Sequence, residues 1–219
     1  MKSILLTLAL LFAMSTSAFS QEKVELLFAN KSFQIYHIVE DHFDMVHFEG
    51  DMDIMSSMYI FTALEYTQSK YLSMNSTGGY MDESYVLGKF LASKQDITFV
   101  VRNDNVCMSA CAFAALSSKK IMIGKNGLDF HTPYIPYVDS FATLSEFSLE
   151  SQRSVLGLMH YLDNAGYGYD FLQLMLDYTS QKDFVTFYSQ NDLEFFKVEN
   201  FFDKIDRNDV ESKYKLNTR

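Results

Sequence analysis

Asn75-Ser76-Thr77-Gly78-Gly79, Cys107-Met108-Ser109-Ala110-Cys111 and Phe130-His131-Thr132-Pro133 stand in that order in the chain, each after an apolar run of strand length. Lys70 to Met74 runs into the glycine pair. Ile97-Thr98-Phe99-Val100-Val101 precedes the cysteine-flanked serine and is the clearest strand signal, being β-branched, apolar and continuous, as a buried parallel strand should be. Lys120 to Gly124 and Leu128 to His131 read as two further strands. Between them, Met81 to Lys94 carries apolar residues at helical spacing with Asp82 and Glu83 near its start, and Ser109 to Ser117 is small and apolar, a buried helix. Strand, helix, strand, helix, strand in sequence predicts an α/β domain with a mainly parallel sheet.

Acyl transfer needs a nucleophile, a base and donors for an oxyanion. Ser109 at a strand-to-helix turn offers the first, and His131 at a strand end offers the second. Gly78 and Gly79 lie where the backbone must turn sharply and can point amides at an anion. Singly, each has a plainer reading: an ordinary Gly-Gly turn, a serine that caps a helix, a packed histidine. Their order and their placement after strands carry the case. His37, His42 and His47 lie among N-terminal strands with no motif around them, and His160 falls within a long helix.

Outward from this block, Val24 to Phe28 and Phe33 to Val39 alternate as strands around an Ala29-Asn30-Lys31 turn, and Phe43 to Phe48 continues them. Met52 to Gln68 has helical spacing. Beyond the loop from Thr132 to Tyr137, which holds both prolines, Leu144 to Ala165 reads as a long amphipathic helix closed by Gly166. Asp170 to Asp177 and Leu193 to Val198 follow as shorter helices, making the C-terminal part helical.

Residues 1–20 read as a secretory signal peptide: Lys2, the apolar run Ile4 to Ala13, then small residues with Ala18 and Ser20 at the cleavage positions. Residues 21–219 then form a single α/β domain, expected in the periplasm or outside the cell. The apolar run is too short for the roughly 20 residues of a spanning helix. The formal net charge of −10 argues against nonspecific nucleic-acid binding, which rests on phosphate neutralisation by Lys and Arg. Cys107 and Cys111, exported to an oxidising compartment, form either a disulfide or a pair of buried thiols. No His or Cys pair completes a zinc site. No Lys-Ser or Lys-Thr follows the glycines to make a phosphate loop, and no third glycine makes a dinucleotide turn. No metal and no cofactor are expected.

The central block resembles the proteolytic subunit of the Clp protease and its exported relatives, within the superfamily that also contains the crotonases. In that family a strand leads to Asn-Ser-Pro-Gly-Gly; here Asn75 to Gly79 departs only by Thr77 for Pro. Ser109 follows Gly79 by 30 residues and His131 follows Ser109 by 22, with Pro133 just after. The Cys-x-Ser-Ala-Cys version is similar to the exported subgroup. The resemblance covers residues 50 to 203. It implies a spiral of β-α-β units, attack by Ser109, proton acceptance by His131, and an oxyanion held by Gly79, with Gly78, and the amide of Ala110. It implies a peptide or unfolded polypeptide substrate and a homo-oligomer built through the helix from Leu144 to Ala165. An exported location removes the ATPase partner.

The chain departs from the family at the third catalytic residue. Aligning the family's ending on Asn200-Phe201-Phe202-Asp203 puts the acid position near Tyr188 or Ser189, neither a carboxylate, and leaves Asp183 as the candidate acid, which requires a shifted loop. That departure keeps open a Ser–His dyad or a catalytically degenerate binding or assembly module; a crotonase-like enzyme for coenzyme A thioesters is a separate, weaker alternative, because an exported protein would seldom meet that substrate.

Overall fold

The computed structural model describes residues 22–40, 43–132, 144–178, 183–197 and 217–218. Residues 1–20, expected to be a signal peptide, Pro133 and the Asn200 to Asp203 segment lie outside these residues. The chain opens with three antiparallel strands, β1 (Lys23–Ala29), β2 (Phe33–Glu40) and β3 (Phe43–Gly50). Asn30 makes the first turn, its Oδ1 accepting from the N–H groups of Ser32 and Phe33, each at 2.8 Å.

From β3 to β6 each connection crosses over through a helix. The order is α1 (Ser56–Thr67), β4 (Tyr71–Asn75), α2 (Met81–Ser93), β5 (Thr98–Val101), α3 (Ala110–Ala115) and β6 (Lys120–Ile123). The six strands lie in the order β1-β2-β3-β4-β5-β6, parallel from β3 onward. This is the mixed α/β architecture with a mainly parallel sheet that the sequence implies. The register aligns Val46, Leu72, Phe99 and Ile121 in one row across four strands, all buried. Burying side chains of this size stabilises by about 1.5–3 kcal/mol each, which ties every parallel strand to the same core.

A second, three-stranded antiparallel sheet comprises β7 (Leu128–Phe130), β8 (Asp183–Phe187) and β9 (Asn217–Thr218). The C-terminal part holds helices α4 (Leu144–Asn164), α5 (Tyr169–Tyr178) and α6 (Gln190–Glu194). It is thus less purely helical than expected. β8 alternates Val185 and Phe187 into the core and pairs with β7, which places the strand before His131 outside the main sheet. α6 begins before Leu193 because Ser189 caps it: Ser189 Oγ accepts from Asp192 N–H at 3.2 Å and donates to Asp192 Oδ2 at 2.8 Å.

Phe130 sits at the centre of an aromatic cluster. It meets Phe113 of α3, Phe171 of α5 and Phe187 of β8 edge to face, with ring centroids 5.2, 5.2 and 5.5 Å apart. Gly166, at φ 81°, ends α4, and Tyr167 N–H closes the turn on Leu162 O at 2.8 Å. Tyr161 fastens α4 to the serine helix, its hydroxyl donating to Phe113 O at 2.6 Å.

Candidate active site

Two strand-turn-helix units meet at the ends of β4 and β5. In the first, Asn75 ends β4 and its Oδ1 accepts from Val106 N–H at 3.0 Å. Ser76 N–H then donates to Val106 O at 2.9 Å, and Met108 N–H donates to Ser76 O at 3.0 Å. The two turns are therefore laced together by main chain before any catalytic group is considered. Ser76 is 2% exposed, and its Oγ accepts from Gly78 N–H at 3.1 Å. The expectation that Gly78 supplies an oxyanion donor is corrected here, because its amide is already taken inside the turn.

Gly78 instead supplies space. At φ 107°, a Cβ on it would lie 2.6 Å from Ser109 Cβ, 2.9 Å from Met108 O and 3.1 Å from Ala110 N. Only glycine lets the first turn press against the second. Gly79, at φ 146°, faces Met52 on one side, where Tyr80 N–H donates to Met52 O at 2.8 Å. Its own N–H points away from that bridge, and no acceptor among the described residues takes it. The same holds for Ala110 N–H, the first amide of α3, since helix starts leave their first donors unpaired.

In the second unit Ser109 precedes α3 with φ 52° and ψ −123°. Met55 and Gln68 also have positive φ, but both lie in the left-handed helical region; Ser109 does not. Such a conformation costs of the order of 1–3 kcal/mol in a residue with a side chain. It is held by Ser109 N–H donating to Asp129 O at 2.8 Å and by Phe113 N–H donating to Ser109 O at 3.0 Å. The side chain makes no capping hydrogen bond to α3, so the plain reading of Ser109 as a helix cap does not apply. A strained serine on a sharp strand-to-helix turn is the geometry by which hydrolases present a nucleophile. Cys107 and Cys111 are joined across it, with S–S 2.03 Å and Cα–Cα 5.2 Å.

The bond from Ser109 N–H to Asp129 O places the serine turn two residues from His131 along the chain that continues β7. His131 is 5% exposed and packs edge-on against Phe184 with ring centroids 5.1 Å apart. Its Nδ1 lies 2.9 Å from Thr132 O, which selects the tautomer that donates from Nδ1 and leaves Nε2 as acceptor. Thr132 is itself fixed, its Oγ1 donating to Met175 O at 2.9 Å. Burial holds the imidazole below the ordinary histidine pKa, against a smaller upward pull from the Thr132 carbonyl, which favours the neutral ring.

Asp183 is the first residue of β8, opposite Thr132 when the register is continued, one residue from His131. Thr132 and Asp129 were not apparent from the sequence as parts of the site, because each acts through its main-chain carbonyl, and carbonyls carry no residue signature. Ile54, Met55 and Tyr80, close in sequence to the Met52–Gly79 bridge, are exposed.

No family model and no curated protein matches this chain. Among solved structures it is similar to a mutant of the 1510-N membrane-bound stomatin-specific protease, with TM-score 0.46 and 11% identity over 76% of this chain and 81% of that one. It is also similar to methylmalonyl CoA decarboxylase, with TM-score 0.42 and 11% identity over 89% of this chain and 72% of that one.

Proposed function

We propose that the protein is an exported serine hydrolase of Clp protease-like kind, cleaving peptide bonds in peptides or unfolded polypeptide without an ATPase partner. The observation that carries the reading is the backbone of Ser109: a costly positive φ on a serine that caps nothing and abuts Gly78. Ser109 Oγ attacks the scissile carbonyl carbon while His131 Nε2 takes its proton. The oxyanion receives the N–H groups of Gly79 and Ala110. The tetrahedral adduct collapses, His131 returns the proton to the leaving amine, and an acyl ester remains on Ser109. Water then attacks the ester with His131 as base, releasing the acid and restoring the serine.

Thr132 O accepts from Nδ1–H and orients the ring, where a full triad would place a carboxylate. Asp183, at the start of β8, is the acid that would stabilise the imidazolium. Thr132 O is a neutral carbonyl, so this contact orients the ring without adding charge. The same observation favours a second reading, a binding or assembly module that keeps the fold with little turnover.

Export through residues 1–20 agrees with the Cys107–Cys111 disulfide, which persists in oxidising compartments. Exposed Val155, Leu156 and Met159 on α4 offer a surface for a second copy, in keeping with a homo-oligomer. The test is hydrolysis of unfolded casein without nucleotide. Cleavage by the wild type and none by Ser109→Ala supports the hydrolase. Equal cleavage by both removes it, and no cleavage by folded wild type favours the binding module.

A further inference from the structure

We propose that the Cys107–Cys111 disulfide is the device that holds Ser109 in its presenting conformation, so that oxidation arms the site and reduction silences it. The inference rests on the Ser109–His131 reading above and adds to it a control of that same site.

The bridge joins two parts that are unequally anchored. Cys107 belongs to the sheet side: it pairs with Ser76, and its carbonyl accepts from Asp129 N–H at 3.0 Å. Cys111 belongs to α3, a helix of six residues, too short to persist through its own hydrogen bonds. Ser109 lies midway in sequence between the two cysteines, in a conformation unfavourable to a serine and unsupported by any side-chain cap. Two main-chain bonds, Cys111 N–H to Met108 O at 3.0 Å and Phe113 N–H to Ser109 O at 3.0 Å, close the turn. The disulfide fixes the distance across them. Without it, only main-chain bonds hold the turn, the one from Ser109 N–H to Asp129 O at 2.8 Å among them, and unwinding α3 by one residue would let Ser109 relax to negative φ, withdrawing Oγ and re-aiming the Ala110 amide together.

Reduction by a dithiol transfers two electrons and two protons to the sulfurs, giving two thiols and the oxidised, cyclic form of the reductant. Both cysteines are buried, so the exchange requires local opening of this turn. A chain kept reduced before export would carry the nucleophile, base and glycines yet remain inactive.

The experiment measures fluorophosphonate labelling of Ser109 in three forms of the full chain: oxidised, reduced with dithiothreitol, and Cys107→Ala/Cys111→Ala. Amide hydrogen exchange is followed in parallel. The expected result is at least a tenfold fall in labelling rate in the second and third forms, reversed on reoxidation of the second. Exchange at Cys111 and Phe113 (residue 111 as Ala in the variant) should rise at least tenfold while β4 and β5 stay protected. Labelling within twofold of the oxidised protein in either folded form overturns the proposal. If the oxidised protein does not label at Ser109, the hydrolase reading fails, and the exchange arm still decides whether the disulfide holds the turn. Should the double variant not fold, reduction and reoxidation of the wild type decide alone.

Discussion

The two turns that meet at the centre of this molecule solve one geometric problem with different residues. Both carry the chain from a parallel strand into a helix, and both contain a serine. In the turn after β4, glycines take the positive φ values, and Ser76 is buried with its hydroxyl committed to the Gly78 amide. In the turn after β5, the serine itself takes the positive φ and its hydroxyl caps nothing. The first arrangement is what packing and hydrogen bonding favour. The second sacrifices stability, and the difference separates a structural serine from a presented one.

The comparison breaks most sharply through the base. His131→Gln keeps the ring site filled but removes the proton acceptor, and it should slow Ser109 labelling roughly a thousandfold while leaving the fold intact. Labelling within tenfold of wild type would mean Ser109 is not activated by His131. Gly78→Ala attacks the contact between the turns. Its Cβ would meet Ser109 Cβ at 2.6 Å in a backbone that disfavours side chains, so chemical denaturation should show a loss of about 3 kcal/mol or more. A change below about 1 kcal/mol would show that the turns are not pressed together.

Smaller effects sharpen the contrast between the serines. Ser76→Ala leaves the buried Gly78 amide without its acceptor and should cost about 1–3 kcal/mol with Ser109 labelling retained. Ser109→Gly relieves the strained φ at some cost in chain entropy and should leave the protein about 1 kcal/mol more stable, though inert. If Ser109→Gly is instead less stable than wild type, the strain assigned to Ser109 is absent.

Protonation gives the mildest test. His131 must be neutral to act and its pKa is depressed by burial, so the acid limb of the labelling profile should have its midpoint below about 6.5. The sign for stability is the same. His47 is also held down, chiefly by burial. Groups with folded pKa values below their unfolded ones contribute stability that is complete above the unfolded pKa. That contribution is lost as pH falls toward the folded values, so denaturation midpoints should fall on acidification below about pH 6.5.

Much of this was legible in the chain because it rests on patterns of side chains. The apolar run through Val101 gives β5, the spacing from Met81 gives α2, and the glycine pair marks a turn of unusual backbone. The pairing of β7 with β8 was not legible. Three residues on one side and five on the other are too short for a period, and they lie more than 50 positions apart. Nor were the commitment of the Gly78 amide to Ser76 and the partnership of His131 with Thr132 O, because main-chain groups look alike in every residue. The start of α6 had a signal that went unused, Ser189 followed three residues later by Asp192.

One of two neighbouring serines is presented and the other is structural. Fluorophosphonate labelling of the folded, oxidised protein, followed by peptide mapping, tests it most directly. The account predicts modification at Ser109, absent from Ser109→Ala and retained in Ser76→Ala. Modification at Ser76, or none in a protein shown to be folded, would contradict it.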